Sequence, residues 1–260
     1  MDVLSKFLLK NRVAIVTGGC GHLGKSMTEA LIEAGATVVV WGRSEEKFKN
    51  VFGNPSSKLS FALVDISKTK SIKDGFKSIQ KKYGRLDVLV NNAVYSAANV
   101  PDQMTDDEWG KGIDGVLNSV FRCTREGIPY MKKIGGGAII NIASMYGVIS
   151  PDFRIYKKYP RYLNPPNYGS AKAGVIQLTK YCSVYYAANN IRVNCISPGA
   201  FPSEMIQKEK GFIKELSGHN PMGRVGKPDE LKGAVVFLAS QASSYMTGQN
   251  LIIDGGWTAW

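Results

Sequence analysis

Histidine is the scarcest chemistry-bearing residue: the 260-residue chain has two, His22 and His219. A Ser-His-Asp hydrolase or a histidine-rich metal site lacks members at that count. The four cysteines, Cys20, Cys123, Cys182 and Cys195, are scattered and form no CxxC pair. No metal centre or disulfide framework is expected, and the thiols read as small buried hydrophobes. No apolar run approaches the ~20 residues of a membrane span. The stretch Met1 to Lys10 carries Asp2 and lacks the long apolar core and cleavage site of a signal peptide, so a cytoplasmic protein without a membrane partner is expected. Repeats and low-complexity tracts are missing too. Acid is short relative to base, with 21 Asp and Glu against 33 Lys and Arg, a net charge of +12. Yet the basic residues are dispersed, their densest spots being the pairs Lys81-Lys82, Lys132-Lys133 and Lys157-Lys158. No basic stripe is interleaved with aromatics, so no nucleic-acid partner is expected, whereas an anionic small ligand suits the balance.

What is present is an ordinary globular composition, 44% hydrophobic and 21% charged. A chain of this size buries roughly three quarters of its unfolded surface and needs no staple to fold. Short apolar runs at Val13–Thr17, Thr37–Trp41, Leu59–Val64, Leu86–Asn91, Gly137–Ala143, Ile191–Ile196 and Asn250–Asp254 have strand length. Most are apolar throughout rather than alternating, the pattern of strands buried on both faces of a parallel sheet. Amphipathic stretches near 22–35, 67–82, 105–133, 167–189, 203–217 and 228–240 lie between them. Thr105 with Glu108 three residues on reads as a capping box. The alternation predicts one Rossmann-like, doubly wound α/β domain over 1–260, about seven parallel strands with helices on both faces. One long loop, Ser150 to Asn167, is rich in Pro, Tyr and basic residues, and a loop of that length in a compact domain is usually functional.

The first strand runs into Thr17-Gly18-Gly19-Cys20-Gly21-His22-Leu23-Gly24, and a helix follows. Glycines there let the backbone turn tightly and approach a pyrophosphate, which the free N–H groups of the helix start face. Thr17-Gly18 with Gly24 resembles the glycine-rich turn of the short-chain dehydrogenase/reductase family, and the resemblance continues in order along the chain. Asp65 in Val64-Asp65-Ile66-Ser67 resembles the acid beside the adenine, and Asn91-Asn92-Ala93 the NNAG turn. Ser144, Tyr168 and Lys172 resemble the catalytic Ser and YxxxK pair. Pro198-Gly199 resembles the turn beside the nicotinamide, and Gly248-Gln249 with Asp254-Gly255-Gly256 the C-terminal segment. The resemblance implies a nicotinamide cofactor held by Gly18, Gly19, Gly21, His22, Leu23, Gly24, Arg43, Ser44, Asp65, Ile66, Asn92, Ala93, Tyr168, Lys172, Pro198 and Gly199. Three departures stand out: His22 at the middle glycine, Val94 at the last NNAG position, and Val116 where the family has a catalytic Asn. Asn118 lies roughly 200° further round a helix and does not substitute for it.

Tyr168 and Lys172 are spaced i, i+4, on one helix face. A free phenol titrates near 10, and a neighbouring ammonium is expected to lower that value. Tyr168 is therefore the expected general acid in carbonyl reduction and general base in alcohol oxidation. Ser144 is expected to hydrogen-bond the substrate oxygen. At the end of the second strand, Val40-Trp41-Gly42-Arg43-Ser44 offers no acid for a ribose 2′-hydroxyl. Arg43 and Ser44 instead suit a 2′-phosphate, so NADP(H) is favoured over NAD(H). Between Ser144 and Tyr168 the chain carries a longer stretch than the family's usual gap. Its Arg and Tyr residues suit a sugar, sugar acid or sugar phosphate. Ser144, Tyr146, Arg154 and Tyr168 are the expected substrate contacts, and residues 200–218 the expected flexible lid. The insertion and the tail resemble gluconate 5-dehydrogenase-like members. A 3-oxoacyl-[acyl-carrier-protein] reductase and a non-catalytic dinucleotide sensor are the alternatives. Thr105–Lys133 and Tyr168–Ala188 resemble the family's dimer helices, so a homotetramer or homodimer is expected.

Overall fold

The computed structural model describes residues 2–260. Seven strands, β1 (Val13–Thr17), β2 (Thr37–Gly42), β3 (Leu59–Leu63), β4 (Val88–Asn91), β5 (Gly137–Ile142), β6 (Ile191–Pro198) and β7 (Asn250–Ile253), form one sheet. Their order is β3-β2-β1-β4-β5-β6-β7, and every pairing is parallel. The strands read as apolar throughout because the sheet is covered twice. Ala14, Val16, Val38, Val40, Val88 and Val90 face one core, shared with Met27 and Leu31 of α1 (His22–Glu33), Phe48 of α2 (Glu45–Phe52) and Val235 and Leu238 of α9 (Lys232–Ala239). Their alternates Val13, Ile15, Val39, Trp41 and Leu89 face the other. That core is shared with Ile72 and Phe76 of α3 (Thr69–Tyr83), Met131 of α5 (Ser119–Lys133) and Cys182 of α6 (Pro166–Tyr186). This is period-2 alternation in which both faces are inside.

The amphipathic stretch 105–133 is not one uninterrupted α-helix. It begins as α4 (Asp106–Ile113) behind the Thr105–Glu108 capping box, loosens into a π-turn over Asp114–Asn118, and resumes as α5. Gly115 explains the position of the break: a Cβ there would come 1.8 Å from the Tyr95 carbonyl oxygen, so the helix bulges where the chain after β4 crosses it. The stretch 203–217 likewise divides, into α7 (Glu204–Gln207) and α8 (Lys210–Gly218). The 150–167 loop is folded, with 3₁₀ turns at Phe153–Tyr156 and Pro160–Tyr162. Tyr162 stacks on Phe212 of α8 with centroids 4.5 Å apart, and Tyr156 and Tyr159 tilt against the same ring. With Met145, Leu216 and Trp257 they form a small third core. The insertion and the 200–218 segment thereby make one packed roof. Among the described residues no helix is long and apolar enough to cross a membrane, and no cluster of His, Cys, Asp and Glu could hold a metal ion.

Candidate active site

The strand order reverses between β1 and β4, and a cleft opens at their carboxyl ends, where open α/β sheets place ligands. A cavity of about 560 Å³ runs along it. Its floor is the glycine turn. Gly18 has φ +64°, a conformation that favours glycine, and its N–H donates to the Trp41 carbonyl. At Gly24 a Cβ would lie 2.2 Å from the Gly18 carbonyl oxygen, so the first turn of α1 packs directly on the loop. Gly21 precedes α1, and no side chain caps that helix. Its first N–H groups therefore lack intrahelical partners and face the cleft, the donor set a pyrophosphate requires.

Thr17, which opens the glycine turn, has a bracing role that the motif alone does not give. Its hydroxyl accepts the N–H groups of Asn92 (2.9 Å) and Ala93 (3.0 Å) and donates to the Val90 carbonyl. The Asn92 amide donates to the Thr17 and Gly18 carbonyls. These bonds clamp the turn after β4 against the glycine turn, so Asn92 lines the cleft while its amide braces the floor. All the residues expected at the cofactor line this cavity except Gly19. Gly19 points inward, where a Cβ would come 2.8 Å from Thr28 Oγ1 and 2.9 Å from Val40 Cγ2. Its glycine is required by packing rather than by a ligand. The His22 ring is half-buried, and burial holds its pKa below the ordinary value, so it is neutral at pH 7.

Electrostatics divide the cleft. At Asp65 burial pushes the carboxyl up. Hydrogen bonds from the Ser67 N–H and hydroxyl, with Lys68 and Arg43 nearby, outweigh it and hold the group below its usual range. At the end of β2, Arg43 and Ser44 line the cavity together with Lys47, which the motif reading missed. Ser44 caps α2 by accepting the Lys47 N–H at 3.0 Å. Lys47 lies one helical turn beyond Ser44, a spacing that could have revealed it. Glu45, which follows Ser44, pairs with Lys49 at 3.1 Å. These cationic and hydroxyl groups make this end of the cleft a donor set suited to an anionic part of a dinucleotide.

At the other end stand Ser144, Tyr168 and Lys172. Ser144 follows β5, and its Oγ accepts the Tyr146 N–H at 3.2 Å. Lys172 is buried, its Nζ donating to the Ile142 carbonyl at 2.5 Å and lying 5.5 Å from the centroid of the Tyr168 ring. Burial lowers the ammonium to about 8. Burial also raises the Tyr168 phenol above its ordinary value, and a hydrogen bond with Ser144 offsets this only in part. The expected depression of Tyr168 by Lys172 therefore does not govern: desolvation is the larger effect. Behind this group a buried ladder, Thr124–Asn91–Asn141–Thr179, ties β4 and β5 to α5 and α6. Val116 is fully buried in the π-turn, and Asn118 turns outward to Asp114.

A second cavity of about 370 Å³ adjoins Ser144 and Tyr168 under the roof. Tyr146 and Tyr156 share a hydroxyl hydrogen bond of 2.7 Å, and Asn164 donates to Tyr156 at 3.1 Å. Burial raises both phenols, so both stay neutral hydrogen-bonding groups. Arg154, expected as a substrate contact, lines neither cavity. Its guanidinium turns back to Asp152 two residues away, and its side chain is 78% exposed. Arg161 lines the second cavity instead.

A doubly wound sheet, an uncapped helix start at the strand-order reversal, and a Ser, Tyr and Lys group at the cleft's end define a nicotinamide-dinucleotide-dependent oxidoreductase. The chain belongs to the short-chain dehydrogenase/reductase family. Residues 21–258 match a family model described as enoyl-(acyl carrier protein) reductase. The 3-oxoacyl-[acyl-carrier-protein] reductase FabG of Chlamydia muridarum is 39% identical over 96% of this chain and 98% of its own length. A 3alpha-hydroxysteroid dehydrogenase of Mediterraneibacter gnavus is 33% identical over 95% of this chain and 97% of its own. The crystal structure of a gluconate 5-dehydrogenase from Burkholderia cenocepacia, in complex with NADP and tartrate, superposes with a TM-score of 0.89 at 29% identity, covering 100% of both chains. This chain is thus an oxidoreductase acting on CH–OH groups with a nicotinamide cofactor.

Proposed function

We propose that this chain uses NADP(H) to interconvert a ketone and a secondary alcohol on a compact polyhydroxylated substrate, a sugar, sugar acid or polyol. The observation that carries the substrate side is the cavity of about 370 Å³ beside Ser144 and Tyr168. It sits at the lower end of the ~300–1,000 Å³ typical of ligand sites and presents the Tyr146, Tyr156 and Asn164 hydrogen-bonding groups. Ser144 bonds the substrate oxygen, Tyr168 gives or takes its proton, and Lys172, its Nζ 5.5 Å from the centroid of the Tyr168 ring, keeps the surroundings positive. The nicotinamide, when bound, supplies the hydride chemistry.

The first test is turnover of the purified protein with NADPH and with NADH. The panel holds 5-ketogluconate, other keto sugars and keto sugar acids, and an acetoacetyl thioester. Turnover on the sugar-type carbonyls supports the reading. Turnover on the thioester alone overturns it in favour of 3-oxoacyl reduction, the reading favoured by the 39% identity to the Chlamydia enzyme. Tight cofactor binding with no turnover on this panel would shift the reading to a dinucleotide sensor or to a substrate outside the panel.

NADP(H) preference rests on Arg43, Ser44 and Lys47. Hydrogen bonds to a charged group contribute about 1.5–3 kcal/mol each. Arg43→Ala is therefore expected to raise KM for NADPH by about 10- to 100-fold and leave KM for NADH within about twofold. Equal losses with both cofactors would remove Arg43 from the 2′-phosphate site. The homodimer or tetramer is supported by Phe121 on α5 and by Tyr181, Val184 and Tyr185 on α6, apolar or aromatic side chains left exposed on one chain. Light scattering of the purified protein tests it.

A further inference from the structure

Arg161 is the one charged side chain that lines the substrate cavity. It lies on the 3₁₀ turn Pro160–Tyr162, its guanidinium 4.8 Å from the centroid of the Tyr162 ring. Tyr162 in turn stacks on Phe212. This rail fixes where the guanidinium can reach. Its ion-pair partner is the Glu209 carboxylate, from the segment between α7 and α8. The pair joins the insertion, which lines the cavity through Arg161, to the segment between α7 and α8. Both side chains retain solvent contact, 66% for Arg161 and 33% for Glu209, so the bond is open to exchange. Exposed pairs of this kind contribute little, and a better-placed anion overcomes them.

We infer that Arg161 is the specificity residue for a carboxylate on the substrate, and that Glu209 occupies its guanidinium until that carboxylate replaces it. The Glu209 pair shows that the guanidinium of Arg161, a residue lining the cavity, holds a carboxylate. Exchange leaves every hydrogen-bonding group satisfied: the substrate carboxylate takes the guanidinium, and Glu209, already one-third exposed, turns to water. The substrate's hydroxyls then face the Tyr146, Tyr156 and Asn164 row while its carbonyl or alcohol lies at Ser144 and Tyr168. This narrows the proposed substrates to sugar acids and rests on that reading.

The test is calorimetric titration of the NADPH-loaded full chain, a state in which an alcohol does not turn over. The probes are D-gluconate, neutral D-glucitol and D-glucitol 6-phosphate. Gluconate is expected to bind at least tenfold more tightly than glucitol. Arg161→Met is expected to weaken gluconate by about 10- to 100-fold and leave glucitol unchanged. Glu209→Gln, which frees the guanidinium, is expected to tighten gluconate several-fold. A purely structural pair would instead make both variants weaken all ligands alike, and that result overturns the inference. So do equal binding of gluconate and glucitol, binding of neither, or preference for the phosphate. Gluconate binding that depends on Arg161 without turnover of any keto acid would sustain the inference and count against the proposed reaction.

Discussion

Tyr168→Phe is expected to lower kcat by about 10²- to 10⁴-fold, the range that a positioned general acid contributes. The substitution removes one oxygen from a ring held on α6, within the same fold. Cofactor affinity should change by less than about threefold, because the glycine turn, Asp65 and Arg43 are untouched. The split between intact NADPH binding, read by fluorescence, and lost turnover, read by absorbance, is the signature of a proton-transfer role. A parallel fall in cofactor affinity would recast Tyr168 as a binding residue. The pH dependence gives a second check. With Lys172 near 8 and Tyr168 above its ordinary value, both groups are mostly protonated at pH 7. Carbonyl reduction, which takes its proton from Tyr168, should keep that donor through pH 8 and lose it only above pH ~10, as the phenol titrates. Alcohol oxidation, which needs the phenolate as proton acceptor, should climb over that same higher interval.

Much of this molecule was legible in sequence because its signals are local. Most strands are apolar on both faces and even the partly exposed edge strands β3 and β7 keep short apolar runs, so all seven were visible, and Thr105 to Glu108 announced the start of α4. The glycine turn and the Tyr168–Lys172 spacing were equally plain. What escaped depends on contacts between distant segments. Gly19 sits in an unbroken cleft motif, yet Thr28 and Val40 decide that it faces the core. Arg154 and Arg161 have identical chemistry and lie in a loop without periodicity. Arg154 is drawn back to Asp152, whereas the turn at Pro160 carries Arg161 to the cavity, and only the folded insertion distinguishes them. The π-turn at Asp114–Asn118 could not be read from helix periodicity, because its cause is the Tyr95 carbonyl crossing Gly115. Even the pKa of Tyr168 went the other way from its i, i+4 neighbour's influence, since burial is a property of the whole fold.

Lys172→Met should move stability and activity in opposite directions. In the unfolded chain the ammonium titrates near 10.5, and in the folded chain burial brings it to about 8. At pH 7 both states are protonated, so the native state carries a desolvated cation. A gap of this size corresponds to about 3 kcal/mol. Methionine has similar length and no charge, and removes that cost. It also forgoes the charged hydrogen bond to the Ile142 carbonyl, about 1.5–3 kcal/mol. The net expectation is a gain of up to about 1.5 kcal/mol at pH 7, or at most a few degrees in Tm for a chain this long. The sign of the pH dependence follows from the lowered folded value. Between about pH 8 and 10.5 the unfolded state binds more protons than the native one, so wild-type stability rises with pH across that window through this group. The variant should lack that rise, and its advantage over wild type should shrink as pH approaches 10.5. Turnover, by contrast, should fall by about 10²-fold or more, because the positive charge beside the reacting oxygen is gone. Thermal unfolding at pH 7 and pH 9.5, alongside NADPH turnover, reads all three effects. A variant less stable than wild type at pH 7 would mean that Lys172 is held by compensating contacts rather than strained by burial, and that the activity of this site carries no cost in stability at that position.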